Sequence, residues 1–171
     1  MSEAISEPAS QTQQAAIEPP ALLFVDDEAN ILSALKRLFR PLGYRIFTAE
    51  SGAAGLQVFE QNTIDLVISD MRMPEMNGAQ FLEQVRQKWP DAVRILLTGY
   101  ADVTSTIDAI NKGEIYRYIA KPWDDNDITL TVKHALERKK LELEKLTLQQ
   151  NEELKDLNAN LEAKVRERTQ V

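Results

Sequence analysis

The sequence contains no cysteine, which rules out disulfides and thiolate metal sites. It contains one histidine, His134. A histidine-rich metal centre is therefore excluded, and a Ser-His-Asp triad could draw only on this residue as its base. No serine lies in a nucleophile-elbow sequence, so such a triad lacks its nucleophile as well. Long apolar runs are also missing; none approaches the roughly 20 residues that a membrane span needs. The N-terminus, Met1-Ser2-Glu3-Ala4-Ile5-Ser6-Glu7, lacks the basic and apolar regions of a secretion signal. A cytoplasmic protein with no membrane partner is expected. Basic residues are in deficit, 20 Lys and Arg against 27 Asp and Glu, for a net charge of -7. That argues against nucleic-acid binding through bulk charge, and no local basic patch stands out. Direct contact with nucleic acid is not expected.

What is present fits an ordinary globular domain with additions. The chain has 171 residues, 43% hydrophobic and 27% charged, which suggests one compact domain plus extra segments. Residues 1–20 are rich in Ser, Gln, Glu, Ala and Pro and lack apolar periodicity, so they read as a disordered leader. Strand and helix patterns then alternate. Ala21-Leu22-Leu23-Phe24-Val25 is a continuous apolar run of the kind buried parallel strands show, and it stops at Asp26-Asp27-Glu28. Ile31, Leu35, Leu38 and Phe39 recur at helical spacing until Pro41 and Gly43. Residues 44–49 read as a second strand and 51–61 as a second helix. Residues 65–70 form a third strand with an acid at its end. A loop rich in breakers, 73–78, precedes a third helix carried by Phe81, Leu82 and Val85. Residues 93–97 make a fourth strand closing on Thr98-Gly99. A helix from about Asp102 to Asn111 follows, and then a strand, 115–120, ending at Lys121-Pro122. Asp124 or Asp125 caps a fifth helix. Five such repeats predict an open parallel sheet wound on both faces by helices.

The fifth helix has no clear stop. From Asp127 to Arg168 there is neither Gly nor Pro. Ile128, Val132, Ala135, Lys139, Leu143, Leu146, Gln150, Leu154, Leu157, Leu161 and Val165 follow at spacings of three and four. Past Lys139 the rhythm approaches an eleven-residue repeat, which holds a stripe on a nearly straight or slightly right-handed coil. Glu137 to Arg168 carries eight acids and eight bases, unlike the basic region of a DNA-binding zipper. Residues 139–171 are therefore expected to extend the fifth helix into a dimeric coiled coil, with Gln150 helping to set its register.

The chemistry lies where polar residues stop the strands. Asp26 and Asp27 end the first, Asp70 the third, Thr98 the fourth and Lys121 the fifth. In an open parallel sheet these carboxyl ends share one crevice. Three acids gathered there repel one another unless a cation joins them. A hard divalent ion with oxygen ligands answers that, and Mg²⁺ fits best; the backbone carbonyl of Arg72 could be a further ligand. Asp70 would then be a nucleophile forming an acyl phosphate, with Lys121 and Thr98 holding phosphoryl oxygens. Each signal has a bland reading by itself. Asp26-Asp27-Glu28 could be a helix N-cap, Thr98-Gly99 a turn, Lys121-Pro122 a strand exit, Tyr118 and Trp123 packing residues, and His134 a surface residue. Their matching positions at strand ends favour the joint reading.

Together Val25-Asp26-Asp27-Glu28, the run from Ser69-Asp70 to Asn77-Gly78, Leu97-Thr98-Gly99 and Lys121-Pro122 resemble response-regulator receiver domains of two-component systems, over residues 21–138. The resemblance implies a flavodoxin-like strand order 2-1-3-4-5. It implies a signalling switch rather than an enzyme: Asp70 phosphorylated by a sensor histidine kinase, Asp26 and Asp27 as metal ligands, and Thr98 and Tyr118 as a switch pair. It also implies a cis Lys121-Pro122 bond and rate-tuning roles for Arg72 and Tyr100. The stretch Gly113 to Trp123 is similar to receivers joined to cyclic-di-GMP phosphodiesterase or AAA+ regulator outputs, so an output domain outside this chain is expected. Two other classes compete. A degenerate receiver would serve only as a dimerisation scaffold. A Mg²⁺-dependent phosphatase of the dehalogenase type would need a general acid where Arg72 stands.

Overall fold

The computed structural model describes residues 18–99 and 115–170, with side chains described through Val165. The expected helix at 102–111 and Tyr100 lie outside the described residues. The chain divides into two units, one through Lys133 and one from His134 onward.

Five strands build the first unit: β1 (Ala21–Val25), β2 (Arg45–Ala49), β3 (Leu66–Asp70), β4 (Val93–Thr98) and β5 (Arg117–Ala120). They form one sheet in the order β2-β1-β3-β4-β5, as expected, and every pairing is parallel. Burial follows this order. All residues of β1 and β3 are buried, whereas β2 and β5 at the rims expose part of their length. Strands covered on both faces need continuous apolar side chains, which is why β1 reads as an unbroken run and β3 as one from Leu66 to Ile68 before Ser69 and Asp70. β5 begins at Arg117, two residues later than the apolar pattern suggested, because its ladder with β4 opens at the Ile95–Arg117 pair.

Helix α1 (Ala29–Phe39) buries Leu32, Leu35 and Phe39. Ile31, expected on the inner stripe, is only half-buried, one position off that face. A 3-10 turn containing Pro41 follows, and Gly43 closes it at φ +91°, a left-handed conformation that suits a residue without Cβ. Ser51 caps α2 (Gly52–Gln61) by accepting the Ala54 N–H at 3.1 Å. Asn77 and Gln80 form a reciprocal capping box at the start of α3 (Gly78–Lys88), which satisfies two otherwise orphaned donors. Phe81, Leu82 and Val85 of α3 join Leu23, Val25, Val67 and Leu96 in the core. Trp89 stacks on Phe59 with ring centroids 4.9 Å apart, a contact worth about 1 kcal/mol beyond burial.

The last helix, α4, runs from Asp125 to Gln170. Asp124 caps it, accepting the Asp127 N–H at 3.0 Å. Ile128 and Val132 are fully buried. In the second unit Leu143, Leu146, Leu154, Leu157, Leu161 and Val165 are each 47–60% exposed, so an apolar stripe faces outward along this stretch. Among the described residues no helix is long and apolar enough to cross a membrane.

Candidate functional site

The strand ends determine what meets. Asp26 follows the last residue of β1, Asp70 is the last of β3, Thr98 the last of β4, and Lys121 follows β5. Because the four strands run parallel and adjacent, their polar ends open on one rim of the sheet. Carboxylate oxygens of Asp26, Asp27 and Asp70 all lie within 4.8 Å of one another. Asp26 and Asp70 are buried and Asp27 is exposed. The Lys121 ammonium sits between the buried pair, 3.0 Å from Asp26 Oδ2 and 2.9 Å from Asp70 Oδ1. Asp26 is held on its other oxygen as well, where Oδ1 accepts the Glu28 N–H at 2.8 Å. Glu28 is the N-cap position of α1 but makes no side-chain cap, so the acidic run serves the rim rather than the helix start.

Three carboxylates against one ammonium leave the rim with excess negative charge. Burial raises the Asp26 carboxyl above its ordinary value, against the lowering effect of the Glu28 N–H and Lys121. Burial likewise raises Asp70, with Lys121 opposing and Asp27 adding to the rise. Burial would push the Lys121 ammonium down, but its hydrogen bonds to Asp70 and Asp26 outweigh this and hold it above its usual value. Desolvation and like charge are the two reasons a carboxylate resists ionising. An all-oxygen donor set with uncompensated charge fits a hard divalent cation.

The remaining predicted residues differ in burial and in what they contact. Thr98 is buried, and its hydroxyl donates to the Gly99 carbonyl at 3.2 Å. Arg72 is exposed between buried Met71 and Met73. Tyr118 on β5 is 52% exposed, with Leu96 as its ladder partner. Lys121-Pro122 is a cis peptide. Trp123 is half-buried and its indole N–H donates to Asp125 at 3.2 Å, and His134 is exposed.

Two contacts of the site were not legible in the sequence. A Cβ at Gly78 would collide with the backbone carbonyl of Asp70, and the Gly78 N–H donates to the Met71 carbonyl at 2.8 Å. Gly78 thus lets α3 start against the backbone of the acidic strand end. Read from the chain, Asn77-Gly78 signals a loop and closes the run that carries the family resemblance, but nothing in it points to this backbone contact. The other is the double pairing of Lys121, which bridges two carboxylates at the strand end where the residue was expected.

Residues 22–133 match the family described as the response regulator receiver domain. The hydrogenase transcriptional regulatory protein HoxA of Cupriavidus necator is 35% identical over 121 residues, 71% of this chain and 25% of that protein. The transcriptional regulatory protein GlrR of Escherichia coli K12 is 36% identical over 121 residues, 71% of this chain and 27% of its own length. The chain thus spans about a quarter of the length of these curated relatives. The signal receiver domain of an HD domain-containing protein from Pseudomonas fluorescens Pf-5 is 41% identical with a TM-score of 0.69, over 71% of this chain and 97% of that one. An uncharacterized protein from Neptuniibacter caesariensis is 46% identical with a TM-score of 0.70, over 73% and 93% respectively. HoxA and GlrR are transcriptional regulatory proteins, and the Pseudomonas chain is a signal receiver domain. With its sheet order, its acidic strand-end rim and a match that spans well over half its length, the chain belongs to the response regulator receiver domain family.

Proposed function

We propose that the chain is a phosphorylation-dependent switch of a two-component system, with Asp70 as acceptor of a phosphoryl group from a sensor histidine kinase. One observation carries the reading: Asp70 ends β3 with an ammonium 2.9 Å from Oδ1 and two more carboxylates beside it. The Asp70 carboxylate, ionised when the kinase's phosphohistidine docks, attacks phosphorus. The P–N bond to the donor imidazole breaks as the acyl phosphate forms. Lys121, already seated at the rim, pairs with one phosphoryl oxygen, and the Thr98 hydroxyl donates to another. Asp26, Asp27 and Asp70, with the Arg72 carbonyl, are the residues that would hold Mg²⁺, which when bound supplies charge neutralisation for the transferring group.

Thr98 then turns inward and the exposed Tyr118 ring follows it, repacking the face built from β5 and the start of α4. Arg72 and Tyr100, two residues beyond Asp70 and Thr98 in the sequence, tune the hydrolysis rate, and their bulk favours a long-lived phosphoryl group. Residues 21–138 act as the receiver. Residues 139–171 pair with a second copy as a coiled coil through the outward leucine stripe, and carry the change toward an output domain. Similarity to a receiver from an HD domain-containing protein and to transcriptional regulators supports outputs of either the phosphodiesterase or the AAA+ kind.

Labelling by acetyl phosphate with Mg²⁺, followed by intact mass, tests the acceptor. Wild type should gain one phosphoryl group and Asp70→Ala none. Label that survives Asp70→Ala would refute the assignment. Wild type that stays dimeric and unlabelled would favour the scaffold reading. Turnover of p-nitrophenyl phosphate would favour a phosphatase, against which stands Arg72 in the place of a general acid.

A further inference from the structure

The loop between Asp70 and α3 is held at more points than its breaker-rich sequence suggests. Its start is tied to β4, the Met71 N–H donating to the Leu97 carbonyl at 3.0 Å. Its end is tied by Gly78 to the Met71 carbonyl. Midway, the Met76 N–H donates to the Pro74 carbonyl at 2.7 Å, across Glu75 at φ +69°. Met76 then leaves the loop and lodges against the first residue of α2. A Cβ built on Gly52 would stand 2.7 Å from Met76 Sδ and 3.2 Å from its Cγ. From the other side the Gln84 amide donates to the same sulfur at 3.7 Å.

We propose that Gly52 and Met76 form a seat that fixes the acceptor loop, and that both are positioning residues for phosphoryl transfer to Asp70. The inference rests on the acceptor reading above. Gly52 has no helical reason to be glycine. It sits in a helix with no positive φ, where alanine is the better helix former. What glycine supplies there is room for the methionine. Turning the sulfur aside would not free an alanine, because its Cβ would still stand 3.2 and 3.3 Å from Met76 Cγ and Cβ. Part of the displacement therefore passes to the loop backbone, and displacements of up to about 1 Å near reacting groups cost up to about 10²-fold in rate. Met76 is two residues before Gly78, which abuts the Asp70 backbone, so the displacement enters the loop that shapes the rim.

The test is a double-mutant cycle on the full chain, read by acetyl phosphate labelling rate, Mg²⁺ half-saturation by Trp fluorescence, and melting temperature. Gly52→Ala should slow labelling on the order of tenfold and weaken Mg²⁺ binding, with a melting temperature equal to or above wild type. In a Met76→Ala background the same substitution should have a much smaller effect, because the sulfur and Cγ are gone and only the Cβ at 3.3 Å remains. Equal effects in both backgrounds would mark two independent perturbations and overturn the seat. So would wild-type labelling by Gly52→Ala, or slowing accompanied by a lower melting temperature. Wild type that takes no label would overturn the acceptor reading, and the seat with it.

Discussion

Lys121→Met would leave the buried carboxylates of Asp26 and Asp70 facing each other without a cation. The ammonium now lies 3.0 and 2.9 Å from them. At an effective dielectric of about 20, each such pair is worth roughly 5.5 kcal/mol of attraction, and two carboxylate oxygens within 4.8 Å of each other repel by at least roughly 3.5 kcal/mol. The variant also escapes the cost of desolvating the ammonium, which is buried except for 22% of its side chain. Broken buried pairs show net losses of about 3–5 kcal/mol, and methionine keeps the apolar stem. We therefore expect Mg²⁺-free Lys121→Met to lose about 3–4 kcal/mol. That is a large share of the roughly 5–15 kcal/mol a domain commands, and it corresponds to a melting temperature lower by about 10–15 °C. Thermal and urea melts followed by circular dichroism measure it. Saturating Mg²⁺ should recover most of the loss, because a divalent cation restores compensation to the same oxygens. A loss below about 1 kcal/mol without Mg²⁺, or an equal loss with and without it, would refute the electrostatic account.

Other outcomes follow from the same geometry. Burial holds the Asp26 and Asp70 carboxyls above 3.8, so the folded chain binds these protons more tightly than the unfolded chain. Their contribution is full below about pH 3.8 and is lost as the pH rises through the raised values. Asp70→Asn should thus be more stable than wild type at pH 7 without Mg²⁺, and urea titrations across the acid range should show it losing less stability with rising pH; parallel curves would contradict this. Lys121 works in the alkaline range, its contribution full below about pH 10.5 and lost as the pH climbs through its raised value. Gly78→Ala should cost at least about 2 kcal/mol in a urea melt, since the new Cβ meets backbone rather than a yielding side chain. Glu75→Gly should raise stability by about 0.5–1 kcal/mol, the relief of a left-handed glutamate less the added freedom of the unfolded chain.

How much of this was legible depends on the range of the interaction. Asp70 could be found because it interrupts a run, Leu66 to Ser69, that is apolar enough to be a buried strand. Lys121 could be placed at a strand end for the same reason. Its double pairing could not, since its partner Asp26 lies 95 residues away and no local pattern encodes the register that joins them. The stripe of α1 was read one position off at its first turn, Ile31 for Leu32, because both are apolar and only packing selects between them. The roles of Gly52 and Gly78 were invisible: a glycine kept for the absence of a side chain looks the same in the chain as one kept for a turn. Trp89 carries no signal in the chain, yet it stacks on Phe59, a contact that only the fold creates. The leucine spacing beyond Lys139 was plain, and those leucines are indeed exposed.

The rim opposite Asp70 has its own bonds. There the Ala21 N–H donates to Asp65 at 2.8 Å, and the buried Arg94 guanidinium donates to the carbonyls of Pro90 and Ala92. Each central strand thus has an anchored end and a reactive end. Substitutions can accumulate at the acidic end while the anchors at the other keep the bulk of the chain's folding free energy intact. A sheet so divided can diversify its signalling without renegotiating its architecture.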